Sequence, residues 1–360
     1  MVKTFIIAEA GVNHNGDKDI ALRLIDVAAE SGADAIKFQT FKAKNLATKY
    51  AKKAEYQFQT ITGEETQFQM LKDLELSEKM HYELISYCAE QNIQFLSTAF
   101  DIESLKFLTD NLGLKILKIP SGEITNAPLL LAFGKTGRQI IISTGMSELL
   151  EVKEALGVLA FGLIHGENKS LTFSRKAFSD AFNSIEGQSL LKQKVTIMHC
   201  VTDYPASPED INLKAIKTMR DSLNLRIGYS DHTLGIIAPI AAVSLGALVI
   251  EKHFTLDNNL PGPDHKASLE PSELKKMVEE IRNVEQLMGD GTKKAMPSEL
   301  KNKPIARKSI VAATNIKKGE VFSDENLTMK RPGSGRSPME FWDIVGTKVT
   351  KNYEIDEMIT

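Results

Sequence analysis

Two histidines 21 residues apart, His232 and His253, each follow a short apolar run, in Gly228-Tyr-Ser-Asp-His-Thr and Val249-Ile-Glu-Lys-His-Phe-Thr. Neutral imidazole is the commonest protein ligand for a metal ion, so a pair on neighbouring strand ends could hold one divalent cation. Taken singly, each reads as a hydrogen-bonded core histidine, because their separation matches no ligand motif on one helical turn. Two nitrogen donors completed by water and substrate oxygens suit Mn2+ or Mg2+ better than the closed four-ligand enclosure of structural zinc. A second set of residues suits an anion. Lys37 and Lys118 end two other apolar runs, and Ser121-Gly122 and Ser143-Thr144-Gly145 follow the fourth and fifth. Lysine supplies a point charge, and hydroxyl residues beside glycine let backbone N–H groups approach an oxyanion. Each element is common, but together on one face they would take a small phosphorylated or carboxylated substrate. Among the acids Glu9, Glu123, Asp231, Glu251 and Asp264, Glu9 is the best placed for proton transfer. Asp231 is expected to orient His232, and Glu251 to point outward into a helix layer.

These residues need a scaffold that brings distant segments to one face. Apolar or β-branched runs recur at 4–8, 35–38, 93–96, 116–119, 140–142, 195–198, 225–228 and 247–250, with helical periodicity between them. Ile20, Leu24, Val27 and Ala28 share one helix face before Gly32. Leu274, Met277, Val278, Ile281, Val284 and Leu287 form a stripe that Ser272 would cap and Gly289 would end. Strands alternating with helices imply parallel pairing and right-handed crossovers, and eight such units predict an α/β fold, the (β/α)8 TIM barrel. Polar residues gather at the ends of the runs: Glu9, Gln39, Thr98, Ser121, Ser143, Cys200 with Thr202, His232 and His253. Barrel active sites lie on the face that carries the C-terminal strand ends.

The chain of 360 residues, with 42% hydrophobic and 25% charged residues and a net charge of −3, has the composition of a globular protein and gives no argument for nucleic-acid or membrane partners. Its two cysteines, Cys88 and Cys200, read as reduced core thiols, and the N-terminus has no signal-peptide pattern, which together predict a cytoplasmic protein. Residues 41–76 carry Lys42, Lys44, Lys49, Lys52 and Lys53, either a solvated basic loop or a lid whose field gathers an anion. Residues 163–194, with Phe173, Phe178 and Phe182, read as helical decoration outside the site. The barrel domain is placed at 1–289, a polar linker at 290–304, and a small mostly-β domain at 305–360 with strands at 309–312, 321–322, 327–330 and 345–349. So small a unit has a marginal core and should dock on a barrel, its own or a neighbour's.

In order along the chain, Ala8-Glu-Ala-Gly-Val-Asn-His-Asn-Gly16, Ala35-Ile-Lys-Phe-Gln-Thr40, Lys118-Ile-Pro-Ser-Gly-Glu123, Ser143-Thr-Gly-Met146, His199-Cys-Val-Thr-Asp-Tyr-Pro205, Tyr229-Ser-Asp-His-Thr233, Glu251-Lys-His-Phe-Thr255, Gly262-Pro-Asp-His265 and Lys330-Arg-Pro-Gly333 resemble the sialic acid synthase family, with its C-terminal antifreeze-like (SAF) domain. The resemblance implies a transferase that condenses phosphoenolpyruvate with an N-acylated mannosamine-type sugar, releases phosphate and forms a nine-carbon 2-keto acid. It further implies a domain-swapped homodimer in which each SAF domain covers the partner's site. By motif, phosphoenolpyruvate would be held by Lys37, Thr98, Lys118, Ser121, Ser143, Ser230 and Thr202, and a divalent Mn or Mg ion by His232 and His253. The sugar would meet Gln39, Glu123, Tyr204, Asp264 and, from the partner, Arg331, with Glu9 and Asp264 handling protons and hydroxyls. Phe38 and Ala99 depart from some relatives, and Phe38 is expected to bear on sugar preference. The product would be N-acetylneuraminate or N,N'-diacetyllegionaminate, and residues 41–44 and 261–271 are similar to legionaminate-type members. Competing readings are a Schiff-base pyruvate aldolase using Lys37 or Lys118, and a non-catalytic sugar-binding protein.

Overall fold

The structure, a computed structural model, describes residues 3–48, 50–51, 66–166, 168 and 172–360; Lys49, Lys52 and Lys53 of the basic stretch lie outside them. The chain divides into two compact units, Met1–Gly289 and Asp290–Thr360. In the first, eight parallel strands close a barrel in sequential order: β1 (Phe5–Gly11), β2 (Ala35–Thr40), β3 (Gln94–Ala99), β4 (Ile116–Ile119), β5 (Gln139–Ser143), β6 (Val195–Cys200), β7 (Arg226–Asp231) and β8 (Val249–His253). The expected barrel is present, but several strands outrun their apolar runs. Glu9, Thr98, Cys200, Ser230 and His253 are laddered residues, not loop residues after a strand.

Side chains alternate across a strand, so each strand sends every second residue into the barrel. Ile7, Ala35, Leu96, Ile141, Met198 and Val249 pack there as an apolar floor, with Phe5 and Ile116 against it. Two residues further along the same strands stand Glu9, Lys37, Thr98, Lys118, Ser143, Cys200 and Glu251, all lining one cavity. The intervening residues, among them Ile6, Ala8, Ile36, Phe38, Leu117, Ile197 and Ile250, enter the core beneath the helices.

The helices follow the predicted faces except at the end of the last stripe, where Leu287 is exposed because the helix runs past the core near Gly289. Helix Lys18–Glu30 buries Ala21, Leu24, Ile25 and Ala28, and the Asp17 carboxylate accepts from the N–H groups of Asp19 and Ile20 at its start. Helix Pro271–Met288 is capped by Glu270 instead of Ser272, because Pro271 fits the first helical position and Glu273 accepts from the Glu270 N–H at 3.0 Å. Residues 163–194 include helices Arg175–Asn183 and Ile185–Lys194, and Phe173 and Phe178 pack edge-on to Phe161. Lys42 and Lys44 lie 3.6 Å from Glu75 and Glu103, so part of the basic stretch is neutralised locally. Among the described residues, no helix is long and apolar enough to cross a membrane.

The second unit pairs β9 (Ser309–Ala312) antiparallel with β10 (Leu327–Lys330) over its own core of Ile310, Ile316, Phe322, Phe341, Ile344 and Tyr353. The predicted strands at 321–322 and 345–349 are reduced to one bridge, Val321 to Lys348, because Phe341–Ile344 is helical and turns the chain just before it. The expected linker holds two short helices, Pro297–Leu300 and Lys303–Ala306.

The loop after β1 is tied to the loop after β8. Asn13 Nδ2 donates to the Phe254 carbonyl at 2.8 Å and to Ser268 Oγ at 2.9 Å, and Asn15 Nδ2 donates to the Pro261 carbonyl at 2.8 Å. His14 accepts from the Gly16 N–H at 2.9 Å and His265 pairs with Thr255 Oγ1 at 2.6 Å. Burial lowers both imidazoles to about 4. The unfolded chain takes up these protons from about pH 6.5 downward and the folded chain only near 4, so their contribution is complete above 6.5 and is lost as the pH falls through that window. Each is on the order of 3 kcal/mol at ~1.4 kcal/mol per pH unit. The urea midpoint should therefore decline from pH 6.5 to 4, and His14→Asn, which keeps an acceptor for Gly16, should flatten that decline. An unchanged slope would remove His14 from the effect.

Candidate active site

The cavity at the C-terminal mouth of the barrel has a volume of about 260 Å³. Its base is a cluster of four buried charges. Lys37 Nζ lies 2.6 Å from Glu9 and 3.7 Å from Glu251, and Lys118 Nζ lies 3.3 Å from Glu251. Hydroxyls partner three of the four: Lys37 donates to Thr98 Oγ1 at 2.8 Å, Lys118 donates to Ser143 Oγ at 2.7 Å, and Ser230 Oγ donates to Glu251 at 2.8 Å. Glu251 thus faces inward, not toward the helices. The parity that puts Val249 in the floor and His253 in the cavity puts Glu251 between them.

The outward residues of the same strands make a different pair. Lys252 Nζ donates to Asp231 at 2.6 Å and also to the Thr233 carbonyl, and Asp231 further accepts from Tyr229 Oη at 2.7 Å and the Thr233 N–H at 3.1 Å. Asp231 does not hold the His232 ring, whose Nδ1 donates to the Val201 carbonyl at 2.6 Å. It ties the Tyr229 side chain to the Thr233 backbone instead. Phe38 also faces outward, stacked on Phe95 at 5.7 Å, and is not in the cavity wall expected to read the sugar.

At the rim the His232 and His253 ring centroids are 5.5 Å apart, and Tyr204 packs on both, at 4.1 and 5.6 Å. Since a carbonyl can only accept, His232 Nδ1 carries a hydrogen, and Nε2 has a free lone pair when the ring is neutral; burial favours that neutral form, but Cys200 and the Val201 carbonyl outweigh it and raise the ring on balance. Among the described residues, buried His253 Nδ1 has no hydrogen-bond partner, with Asp264 Oδ2 3.9 Å away. Among the described residues, no group of three or more His, Cys, Asp or Glu converges on a metal position. The donor set fits a cation that keeps water or substrate oxygens, and no closed cage.

Gln39, Ser121 and Thr202 also line the cavity. Ser121 Oγ accepts from the Gly145 N–H at 2.9 Å, and a Cβ at Gly145 would stand 2.1 Å from Thr202 Oγ1, so only glycine fits there. One expected contact is not brought in: Glu123 accepts from Asn126 at 2.7 Å in the turn after β4 and is not a lining residue. Arg331, expected from a partner, lies in the second unit, where it donates to the Ala306 carbonyl. Lining residues with no site role in the sequence reading include Val12, Met70, Leu71, Leu74, Phe100 and Met146; Cys200, read as a core thiol, lies 3.8 Å from His232 Nδ1.

Burial is the largest influence on every charge here. It raises Glu9 to about 7 against the pull of Lys37, with Glu251 adding to the rise, and it raises Asp264 to about 6. Burial works the same way on Glu251, but Lys118 and Lys37 outweigh it and hold this carboxyl at about 2. Burial would discharge Lys37, yet Glu251 and Glu9 keep it raised, whereas Lys118 is lowered on balance. His253 is driven well down by burial and by His232, which leaves it neutral as a ligand must be.

A closed (β/α)8 barrel with paired ammonium groups under two imidazoles defines a barrel protein with an anion-accepting mouth. The chain belongs to the NeuB family, whose model matches residues 24–293, and an SAF domain follows at 307–360. It is 52% identical over its whole length to the N,N'-diacetyllegionaminic acid synthase of Campylobacter jejuni, covering 99% of that protein. It is 47% identical to the enzyme of the same name from Legionella pneumophila, over 97% of this chain and 91% of the other. Among solved structures, the N-acetylneuraminic acid synthetase of Leptospira borgpetersenii, in complex with citrate, aligns with a TM-score of 0.67 and 33% identity, over 83% of this chain and 90% of that one.

Replacing Glu251 tests the cluster. Glu251→Ala leaves Lys118 buried without a carboxylate and should lower the unfolding free energy by about 3–5 kcal/mol. Glu251→Gln, which keeps the Ser230 hydrogen bond, should lose less. Equal stability of Glu251→Ala and the parent in urea titrations would show that Glu251 does not hold the lysines in place.

Proposed function

We propose that this chain is a cytoplasmic, metal-dependent nonulosonic acid synthase. It condenses phosphoenolpyruvate with an N-acylated mannosamine-type sugar and water, releasing phosphate and forming N-acetylneuraminate or N,N'-diacetyllegionaminate. The observation that carries this reading is the pair of buried ammonium groups, Lys37 and Lys118, each with a hydroxyl partner, beneath His232 and His253 in one cavity. The names of the Campylobacter and Legionella relatives support it.

In this reading Lys37 and Lys118, with Thr98, Ser121, Ser143, Thr202 and Ser230, hold the phosphate and carboxylate of phosphoenolpyruvate. The donors are fixed before substrate arrives, so little reorganisation accompanies the charge changes of reaction. Carbon 3 attacks the aldehyde of the open-chain sugar, water adds at carbon 2, and phosphate leaves by C–O cleavage. A divalent Mn or Mg ion, held by His232 and His253, would supply Lewis-acid polarisation of the aldehyde. Glu9, with a pKa of about 7, can hold or release a proton at neutral pH within the cluster. Gln39, Tyr204 and Asp264 line the space left for the sugar, and Asp264 positions its hydroxyls. Arg331 would act in the partner's site of a domain-swapped homodimer. The lysines are bound by carboxylates that keep Lys37 charged, which disfavours it as a Schiff-base nucleophile.

Phosphate release should require phosphoenolpyruvate and an amino sugar together, and EDTA should suppress it. A borohydride-trapped pyruvate adduct would favour the aldolase instead. His232→Ala or His253→Ala should lower condensation by about three orders of magnitude, within the usual loss on removing a group that stabilises transition-state charge, with an unchanged circular dichroism spectrum. Truncation after Gly289 should abolish activity while the barrel stays folded. Full activity of the truncated chain would exclude Arg331.

A further inference from the structure

The ladder between β7 and β8 stops one residue short of both rim histidines, its last pair being Asp231 with Lys252. His253 is still held beyond that point, because β1 ladders it through Glu9. His232 lies outside β7. From the β6 side it is tied through Nδ1 to the Val201 carbonyl, and its own carbonyl accepts from the Ala206 N–H at 2.9 Å. Neither bond reaches β8.

Side chains make the connection that the ladder leaves out. Thr233, the residue after His232, is engaged at three atoms. Its carbonyl accepts from Lys252 Nζ, its N–H donates to Asp231 Oδ1 at 3.1 Å, and its Oγ1 donates to Asp231 Oδ2 at 3.1 Å. Lys252 also donates to Asp231 Oδ2 at 2.6 Å, and Tyr229 Oη donates to Oδ1 at 2.7 Å. All four residues are buried. A buried ion pair adds little stability over apolar side chains of the same volume. Apolar side chains, however, could not hold Thr233 at both its N–H and its carbonyl. We propose that Asp231, Thr233 and Lys252 are positioning residues that strap the segment after His232 to the residue before His253, and so set the spacing of the two imidazoles and the affinity of the site for a divalent ion. Groups behind metal-ligating histidines act in this way by fixing ring orientation. This rests on the assignment of His232 and His253 to a metal, and it names what holds the two ligands at their separation.

The test measures Mn2+ binding to the full-length chain without substrate, from the electron paramagnetic resonance signal of the free ion. Asp231→Leu combined with Lys252→Met removes both charges and the strap together. It should raise the Mn2+ Kd by about 10-fold or more, the usual loss for changes behind metal-ligating histidines. Thr233→Val keeps the ion pair and loses only one hydroxyl donor, so it should raise the Kd by about threefold, within the worth of one hydrogen bond. At saturating Mn2+ the phosphoenolpyruvate KM should stay within about twofold in both variants, since Lys37 and Lys118 are untouched. The double variant decides if it melts cooperatively, and Thr233→Val decides if the double variant does not fold. The proposal is overturned if the deciding variant binds Mn2+ as the parent does, even with a lowered melting temperature, because the strap would then serve stability alone. It is also overturned if the phosphoenolpyruvate KM rises in parallel with the Mn2+ Kd. A parent chain that binds no Mn2+ would overturn the metal assignment itself, and this proposal with it.

Discussion

A carboxylate held between two ammonium groups inside a barrel is the constraint on which the rest of the site depends. Removing one ion from water costs several kcal/mol even after relaxation, so neither Lys37 nor Lys118 could stand in the interior alone. Glu251 lies 3.7 and 3.3 Å from them, close enough for an attraction of about 5 kcal/mol each at an effective dielectric constant near 20. Glu9 makes the charges two against two when all are ionised. The carboxylates are unequal, however: Glu251 is held near 2 and Glu9 near 7. At neutral pH the cluster can therefore gain a net positive charge by protonating Glu9, while Glu251 stays ionised beside both lysines. An anion entering the cavity meets a base that is already stable and already biased toward it.

The outer layer of the same strands performs the complementary task. Asp231 and Lys252 point away from the cavity, are fully buried, and are joined to each other and to Thr233 and Tyr229. Each is a sequence neighbour of a rim histidine, so locking them outward leaves His232 and His253 no direction but inward. Removing either partner would leave the other's charge uncompensated between sheet and helices, and the first geometry to relax would be that of the two imidazoles. The rim therefore depends on a pair that never touches it.

The fold was readable because hydrophobic runs and helical stripes are local patterns, and each strand holds one of the predicted runs in whole or in part. Strand ends were less readable, since Glu9, Ser97 and Glu251-Lys-His253 have little β propensity of their own and are extended because neighbouring strands ladder them. Ser272 was an apparent cap only when Pro271 was overlooked. Glu251 was legible in principle: counting by two from His253 places it inside. The outward reading treated it as an isolated acid after an apolar run and ignored that parity. Cys200 obeys the same count from Met198, but a thiol in an apolar run reads as core whichever way it faces. The apolar wall of the cavity was not legible, because Met70 and Leu71 sit on a seven-residue helix, and Leu74 just after it, with a face set by tertiary contact with Val12 and Phe100, far away in sequence.

That distribution divides the cavity by rigidity. The charged base and the imidazoles stand on or directly beside laddered strands, where backbone hydrogen bonds on both sides hold each side chain to a narrow range of positions. The apolar wall is carried by connecting segments after β1, β2 and β3, which can change length and composition without altering the barrel register. Groups that must meet developing charge tolerate little displacement, whereas surfaces that only exclude water from a substituent tolerate much more. A barrel built this way can keep one reaction at its base while the loops above it vary in the acceptor they admit.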